Sequence, residues 1–404
     1  MMNKNIKKKP LIALGLLLIA SSANALENEV KIGGMAEVSA AYYNTNGGKK
    51  RQKYSKYNNH YGFFSSGNIY VDYNLVSENG WKYGTKIGLH QTGRSSRGAP
   101  FSTYVECDYG KIELGSTKSA FGKMMITGYE GSCSSGNGWD MYAQTSPKKG
   151  KESLVPYITN FCNFLDSKTR TSLKTDYSRK ITYYTPKLGI GGHKFQFGIS
   201  YIPDSSNGGH DSIDSPNIHG VVMASQFKFA FKDGFAYGVV YENKINEQLK
   251  VEWSAVVEQG KTIAFNKKDN TRSDIKFKNL NTYNLGAKIS YEQLSLAGSY
   301  MNFNKSITNA EIDIFGRSTD IYSVGIKYNI NKKYAVSLNY FHSNNKNNQL
   351  NATSLGGDYK IAKGVKAHAQ VTYYDAKGKY KLSNIINNDK SRGTIFIIGG
   401  KISF

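Results

Sequence analysis

Acidic residues, cysteine, proline and long apolar runs are all scarce in this chain. Its 404 residues hold 30 Asp+Glu against 53 Lys+Arg, with 3 Cys, 7 Pro and 7 His. Three cysteines staple very little in a chain this long, which excludes a small disulfide scaffold. The composition also excludes collagen-like and Pro-rich classes. The histidines (His60, His90, His193, His210, His219, His342, His368) stand apart, with no His-x-x-x-His or Cys-x-x-Cys spacing for zinc. No Gly-x-Ser-x-Gly elbow and no phosphate-loop signature occurs. The reading is therefore of a chain that is not an enzyme and needs no cofactor or metal. Beyond the N-terminus, no apolar run approaches the roughly 20 residues that a membrane-crossing helix requires.

What the chain does have is 30 Tyr, 41 Gly, a net charge of +23 and a segmented pattern. Lys4, Lys7, Lys8 and Lys9 precede the apolar run Leu11 to Ala20, and Ala23-Asn24-Ala25 is a small-x-small site. That layout predicts a secretory signal peptide over 1–25, cleaved after Ala25. From Leu26 onward the hydrophobic period is two, so one face of each segment meets something apolar. Val365, Ala367, Ala369, Val371 and Tyr373 share one face; Lys366, His368, Gln370, Thr372 and Tyr374 share the other. The segments around Trp81–Leu89, Phe195–Tyr201, Tyr283–Tyr291, Tyr322–Ile330 and Gly393–Phe404 repeat the pattern.

Short turns alternate with long polar connections. The short ones are at Ser77–Gly80, Tyr109-Gly110, Lys187–Gly192, Lys232–Gly234, Glu292-Gln293, Asn331–Lys333 and Ala362–Gly364. The long ones are at 44–61, 117–178, 204–218, 243–279, 304–319, 343–351 and 376–392, with a shorter one at 93–99. They connect sixteen strands. An even number of strands, oily on one side and hydrated on the other, is the pattern of an all-β transmembrane antiparallel barrel; closure removes the sheet edges that lipid cannot satisfy. Tyr near strand ends suits the aromatic girdles of such a barrel. The expected organisation is one domain, 26–404, after the signal peptide.

Three segments resemble the Gram-negative general (trimeric) porin family. Asp108-Tyr-Gly-Lys-Ile-Glu-Leu-Gly-Ser116 is similar to the strand that leads into that family's constriction loop. Arg179-Lys-Ile-Thr-Tyr-Tyr-Thr-Pro186 with Phe195–Pro203 resembles the strand pair that follows it. The last strand, ending in Phe404, resembles the assembly signal read by the outer-membrane barrel insertion machinery. The resemblance implies a homotrimer in the cell outer membrane, each barrel a water-filled channel for passive diffusion of small hydrophilic solutes and ions. It also implies a third loop folded into the lumen, here 117–178.

The alternation assigns inner-wall charges. The basic positions are Lys31, Lys82, Lys86, Lys111, Lys180, Lys194, Lys228, Lys288, Lys327, Lys366 and Lys401; the acidic ones are Glu37, Glu106, Asp108, Glu113 and Glu242. Rings of Lys favour anions, so a mild anion preference is expected, limited in a wide pore by screening over about 8 Å. The loop contributes Lys118, Lys123, Glu130 and Asp140, and its excess of bases departs from the acidic loop of many family members. Cys133 and Cys162, both in the loop, could form a disulfide worth about 3 kcal/mol in the chain-entropy account. Some of the lysines are candidates for contacts with lipopolysaccharide and outer-membrane lipids. An adhesin that grips its ligands with long basic loops is the alternative function. Nucleic-acid binding is not expected, because the charge is spread rather than clustered.

Overall fold

The computed structural model describes residues 25–45, 60–92, 95–97, 100–133, 138–143, 178–205, 213–214, 227–266, 268–269, 271–308, 319–345, 348–382 and 385–404. The expected signal peptide lies, except for Ala25, outside them. Eighteen strands form one antiparallel sheet. In chain order they are β1 (Ala25–Thr45), β2 (Tyr61–Ser77), β3 (Lys82–Thr92), β4 (Ser95–Arg97), β5 (Phe101–Cys107), β6 (Gly110–Ser116), β7 (Arg179–Tyr184), β8 (His193–Asp204) and β9 (Ile213–Asp214). There follow β10 (Phe227–Lys244), β11 (Leu249–Asn266), β12 (Leu280–Tyr291), β13 (Leu294–Asn302), β14 (Asp320–Asn329), β15 (Tyr334–Asn345), β16 (Asn348–Ala362), β17 (Val365–Leu382) and β18 (Ile385–Ser403). β4 and β9 are short additions of three and two residues. The other sixteen build the wall.

The sheet closes on itself. β18 pairs with β1 from Met35↔Ser403 to Thr45↔Gly393. Beyond that register Gly34 and Phe404 exchange backbone hydrogen bonds of 2.9 and 3.1 Å. Closure leaves no row of unpaired N–H and C=O groups facing hydrocarbon.

The alternation read from the sequence is the alternation of the wall. On β15, Tyr334, Val336, Leu338 and Tyr340 face outward, while Ala335, Ser337, Asn339 and Phe341 are buried on the inner side. Outward rings pair across strands near the ends of the oily band: Tyr42–Tyr61 at 5.3 Å, Phe195–Tyr241 at 4.8 Å and Tyr300–Tyr322 at 4.9 Å.

The wall corrects the sequence reading in three places. The expected turn at Lys232–Gly234 is a β-bulge inside β10, where Asp233 takes φ 49° and the register against β11 shifts. Asp-Gly suits a bulge as well as a turn. The expected long connection 243–279 contains the whole of β11, and the true turn is the short one after Lys244. The sequence pattern divides β10 in two and passes over β11, so the count of sixteen is unchanged. The expected connections at 343–351 and 376–392 are mostly strand: β15–β16 and β17–β18 run on as paired hairpins, the latter to Leu382↔Ile385.

Candidate functional site

A water-filled barrel needs hydrated side chains inside, and the inner faces are rich in Ser, Thr, Asn, Gln and charge. The segment entering after β6 decides how much of that interior stays open. Its described part, from Thr117 to Cys133 and from Gly138 to Ala143, runs along the inner wall rather than outward. A helix of one turn and a half, α1 (Ala120–Met124), is capped by Ser119, whose side chain accepts from the Gly122 N–H. Such a short helix draws its stability from docking, not propensity. Ala120 and Phe121 are fully buried, and burying Phe121 is worth about 1.5–3 kcal/mol.

The loop is fixed by small polar residues of successive strands. Ser200 on β8 accepts from the Ala120 N–H at 2.8 Å, and Ser254 on β11 accepts from the Ile126 N–H at 3.0 Å. Asn284 on β12 donates to the Ile126 carbonyl at 3.0 Å. Ser323 on β14 accepts from the Gly128 N–H at 2.8 Å, and Ser337 on β15 accepts from the Cys133 N–H at 2.9 Å. Between these bonds the two backbones touch. A side chain at Gly131 or Gly325 would run into the facing backbone, Gly325 being pressed by the carbonyls of both Gly128 and Gly131. Further on, buried Trp139 packs on Phe341 (6.1 Å) and Tyr374 (6.5 Å), and Tyr142 stacks on Tyr43 at 6.0 Å. The path thus sweeps from β8 past β15 and β17 to β1. Burial raises the pKa of Tyr129 and of Cys133 on this path.

Charge also anchors it. Lys123 of α1 reaches Glu113 of β6 at 2.6 Å, with the carboxylate almost fully buried. Glu130 lies 3.9 Å from Lys288, which is 4.0 Å from Glu252. Lys180 was expected on the open wall. It is buried, and its ammonium donates to the carbonyls of Thr117 and Ser178, the two stems of the loop.

The inner wall from β1 to β6 has a different character. Asp72 and Lys86 pair across β2–β3 at 3.2 Å. The Lys86 ammonium lies 4.4 Å from the centre of the Tyr70 ring, and that of Lys111 lies 3.8 Å from the centre of Tyr104. The Tyr104 hydroxyl donates to Asn74 at 2.6 Å. Glu106 stands in register with Lys82 on one side and Lys111 on the other. Lys31 pairs with Glu29 at 2.7 Å, and Glu37 lies 3.8 Å from His368.

The remaining expected positions divide. Lys366 and Lys401 lie on the inner faces of β17 and β18, in register with each other. Asp108 sits in the turn between β5 and β6, exposed at the rim rather than on a strand face. Lys118 is exposed just before the Ser119 cap, and Asp140 lies in a 3-10 turn beside Trp139. Lys228 precedes the bulge in β10, beside Phe229, Ala230 and Phe231, which are all buried, and its side chain lies outside the described set. Among the described residues Cys107 and Cys133 form no disulfide; Cys162, the expected partner of Cys133, lies outside them. Phe404 faces outward.

Sequence reading missed Asp72, Glu252, Glu258 and Asp358, all acids of the wall. Glu258 is fully buried and accepts from Thr282 at 2.9 Å. Glu252 and Glu258 were lost with β11. Asp72 and Asp358 follow the alternation of their strands and could have been counted. These acids stand beside inner-face bases that the sequence reading also lacks, Lys250 of β11 and Lys360 of β16.

A sequence profile of the Gram-negative porin family matches residues 11–379. An uncharacterized protein of Rickettsia prowazekii (strain Madrid E) is 31% identical over 359 residues, covering 80% of each chain. One of Rickettsia bellii (strain RML369-C) is 32% identical with the same coverage. Among solved structures, an anion-selective porin from Comamonas acidovorans superposes with a TM-score of 0.54 at 15% identity, covering 94% of this chain and all of that one. A mutant of the Rh. blastica porin gives 0.51 at 12% identity, covering 93% of this chain and all of that one. With the closed sixteen-strand wall and its inward loop, these matches place the protein in the outer membrane, and the chain belongs to the Gram-negative porin family.

Proposed function

We propose that the barrel is a passive channel for small hydrophilic solutes and ions, mildly anion-preferring, and that it works as a homotrimer. The observation that carries the channel reading is the loop's course. It covers the inner wall from β8 round to β17 and leaves Lys82, Lys86, Tyr104 and Lys111 of the opposite wall uncovered among the described residues. A solute would pass between loop and wall, and loop 117–178 would set the size limit.

The anion preference rests on unequal pairing. Asp72 is engaged by Lys86, Glu113 by Lys123, and Glu242 by Lys187 and Lys250 at 3.4 and 3.2 Å. Lys82, Lys111, Lys327, Lys366 and Lys401 have no carboxylate within salt-bridge distance among the described residues. Free cations facing a channel with low-dielectric walls raise the local concentration of anions. The added wall acids keep the preference small. The relative from Comamonas acidovorans that shares this fold is itself anion-selective. The test is planar-bilayer recording of the refolded chain in a KCl gradient. Ohmic steps with a reversal potential on the anion side are expected; no conductance would overturn the channel, and a cation-side potential would overturn the preference.

A further inference from the structure

At the short-turn mouth of the barrel the registers of β16, β17 and β18 line up like charges. Lys360 stands directly opposite Lys366, and Lys366 directly opposite Lys401. The Lys360 N–H donates to the Lys333 carbonyl at 2.8 Å, so the row continues to the turn before β15. Lys360, Lys366 and Lys401 face inward: Tyr359, Ile361 and Ile402 point out, while Asp358 and His368 are buried on the inner side. Like charges in register on one sheet face are destabilising. Adjacent strands lie about 4.8 Å apart, which spreads the three ammonium stems over roughly 10 Å.

The acids nearby do not cancel the row. Glu37 is in register with Lys401, but its carboxylate lies 3.8 Å from the His368 ring. Asp358 is buried one row further in, opposite His368. Among the described residues no carboxylate comes within salt-bridge distance of Lys360, Lys366 or Lys401, although two of the three are exposed. The arrangement is three unneutralised cations on a rigid sheet, open to water at one mouth.

We infer that Lys360, Lys366 and Lys401 form a binding row for solutes that carry phosphate groups with two or more negative charges. Lys binds phosphate as a compact point charge, and three in a row match a solute whose negative charges are spread over several phosphate oxygens. A solute bridging two or three rungs relieves the repulsion along the row, which a single chloride does less well. Short turns mark the periplasmic side of outer-membrane barrels, so the row lies at the periplasmic mouth, past the loop for an incoming solute. The inference rests on the channel reading and names a solute class for it.

The test is block of KCl current by inorganic tripolyphosphate, added to one side of the bilayer at a time. Block is expected to be about tenfold more potent from the short-turn side, and to weaken about tenfold in the K360Q/K366Q/K401Q variant, within the range over which like-charged clefts concentrate counter-ions. Each single Lys→Gln variant is measured beside the triple, so a triple variant that fails to refold leaves the graded loss to be read. Citrate serves as the second arm: equal block by citrate and tripolyphosphate would overturn the phosphate assignment. Equal block from both sides, or block unchanged in the variants, would overturn the row. If the wild-type protein conducts no KCl current, the channel reading has failed instead.

Discussion

The two sides of the lumen solve different problems with different residues. Where the loop lies against β11–β15, the wall offers Ser254, Ser323, Ser337, Asn284 and Gly325: short side chains that bond a passing backbone or get out of its way. Where the described part of the loop leaves β2, β3 and β5 largely uncovered, the wall carries Tyr70, Asp72, Lys86 and Tyr104, with Lys111 beside them on β6: charged and aromatic side chains that pair with one another. An inward-pointing strand position is therefore not simply a polar one. Its chemistry differs with what lies next to it: small polar residues and buried rings meet the loop, and charged residues meet the lumen.

The most disruptive test of that contrast is Gly325→Val. The new side chain meets the carbonyls of Gly128 and Gly131, and overpacking of this kind costs about 1–3 kcal/mol. The loop should leave the wall while the barrel stays closed, so single-channel conductance and the solute size limit should both rise. A conductance equal to wild type would mean that the loop is not seated there. Next comes Glu113→Gln, which leaves the Lys123 ammonium without its buried partner at a cost of about 1–3 kcal/mol. Open-channel current noise and cleavage of the loop by added protease should increase. Its control is Asp72→Asn on the uncovered wall, where a solvent-facing pair is worth about 0–1 kcal/mol and noise should not change; equal effects would erase the distinction between the two walls.

A smaller effect is expected from Lys82→Gln with Lys111→Gln. The reversal potential should move toward cations in dilute salt, and the shift should fade near 1 M, where the screening length is about 3 Å. A shift that persists at 1 M would point to a specific site rather than a diffuse field. The least perturbing probe is Cys133. Its thiol is buried under the Ser337 contact and its pKa is raised by that burial, so little thiolate forms at pH 8. A polar maleimide should leave it unlabelled in the refolded barrel and label it after denaturation; rapid labelling would show that the loop lifts off.

Much of this was legible in the sequence because period-two patterning and barrel geometry are the same fact. The inward placement of Lys82, Lys86, Lys111, Lys366 and Lys401 needed only alternation. Register was harder. Lys232-Asp233-Gly234 has the composition of a turn, and only the pairing of β10 with both neighbours reveals a bulge. Lys180 fell on the inner face as expected, yet it is consumed by two loop carbonyls, which no spacing along the chain could announce. The docking serines were invisible for the same reason: Ser323 and Ser337 gain their meaning from residues about 200 positions earlier.

Those separations carry a consequence for the order of assembly. The loop's hydrogen-bonding anchors on strands from β8 to β15 lie 80 to 207 positions along the chain from the groups they hold. Loop closure over such distances must be complete before the contacts reward it. Those on β11–β15 cannot form until the later half of the sheet has paired. Full seating of the loop therefore depends on strands that follow it in the chain.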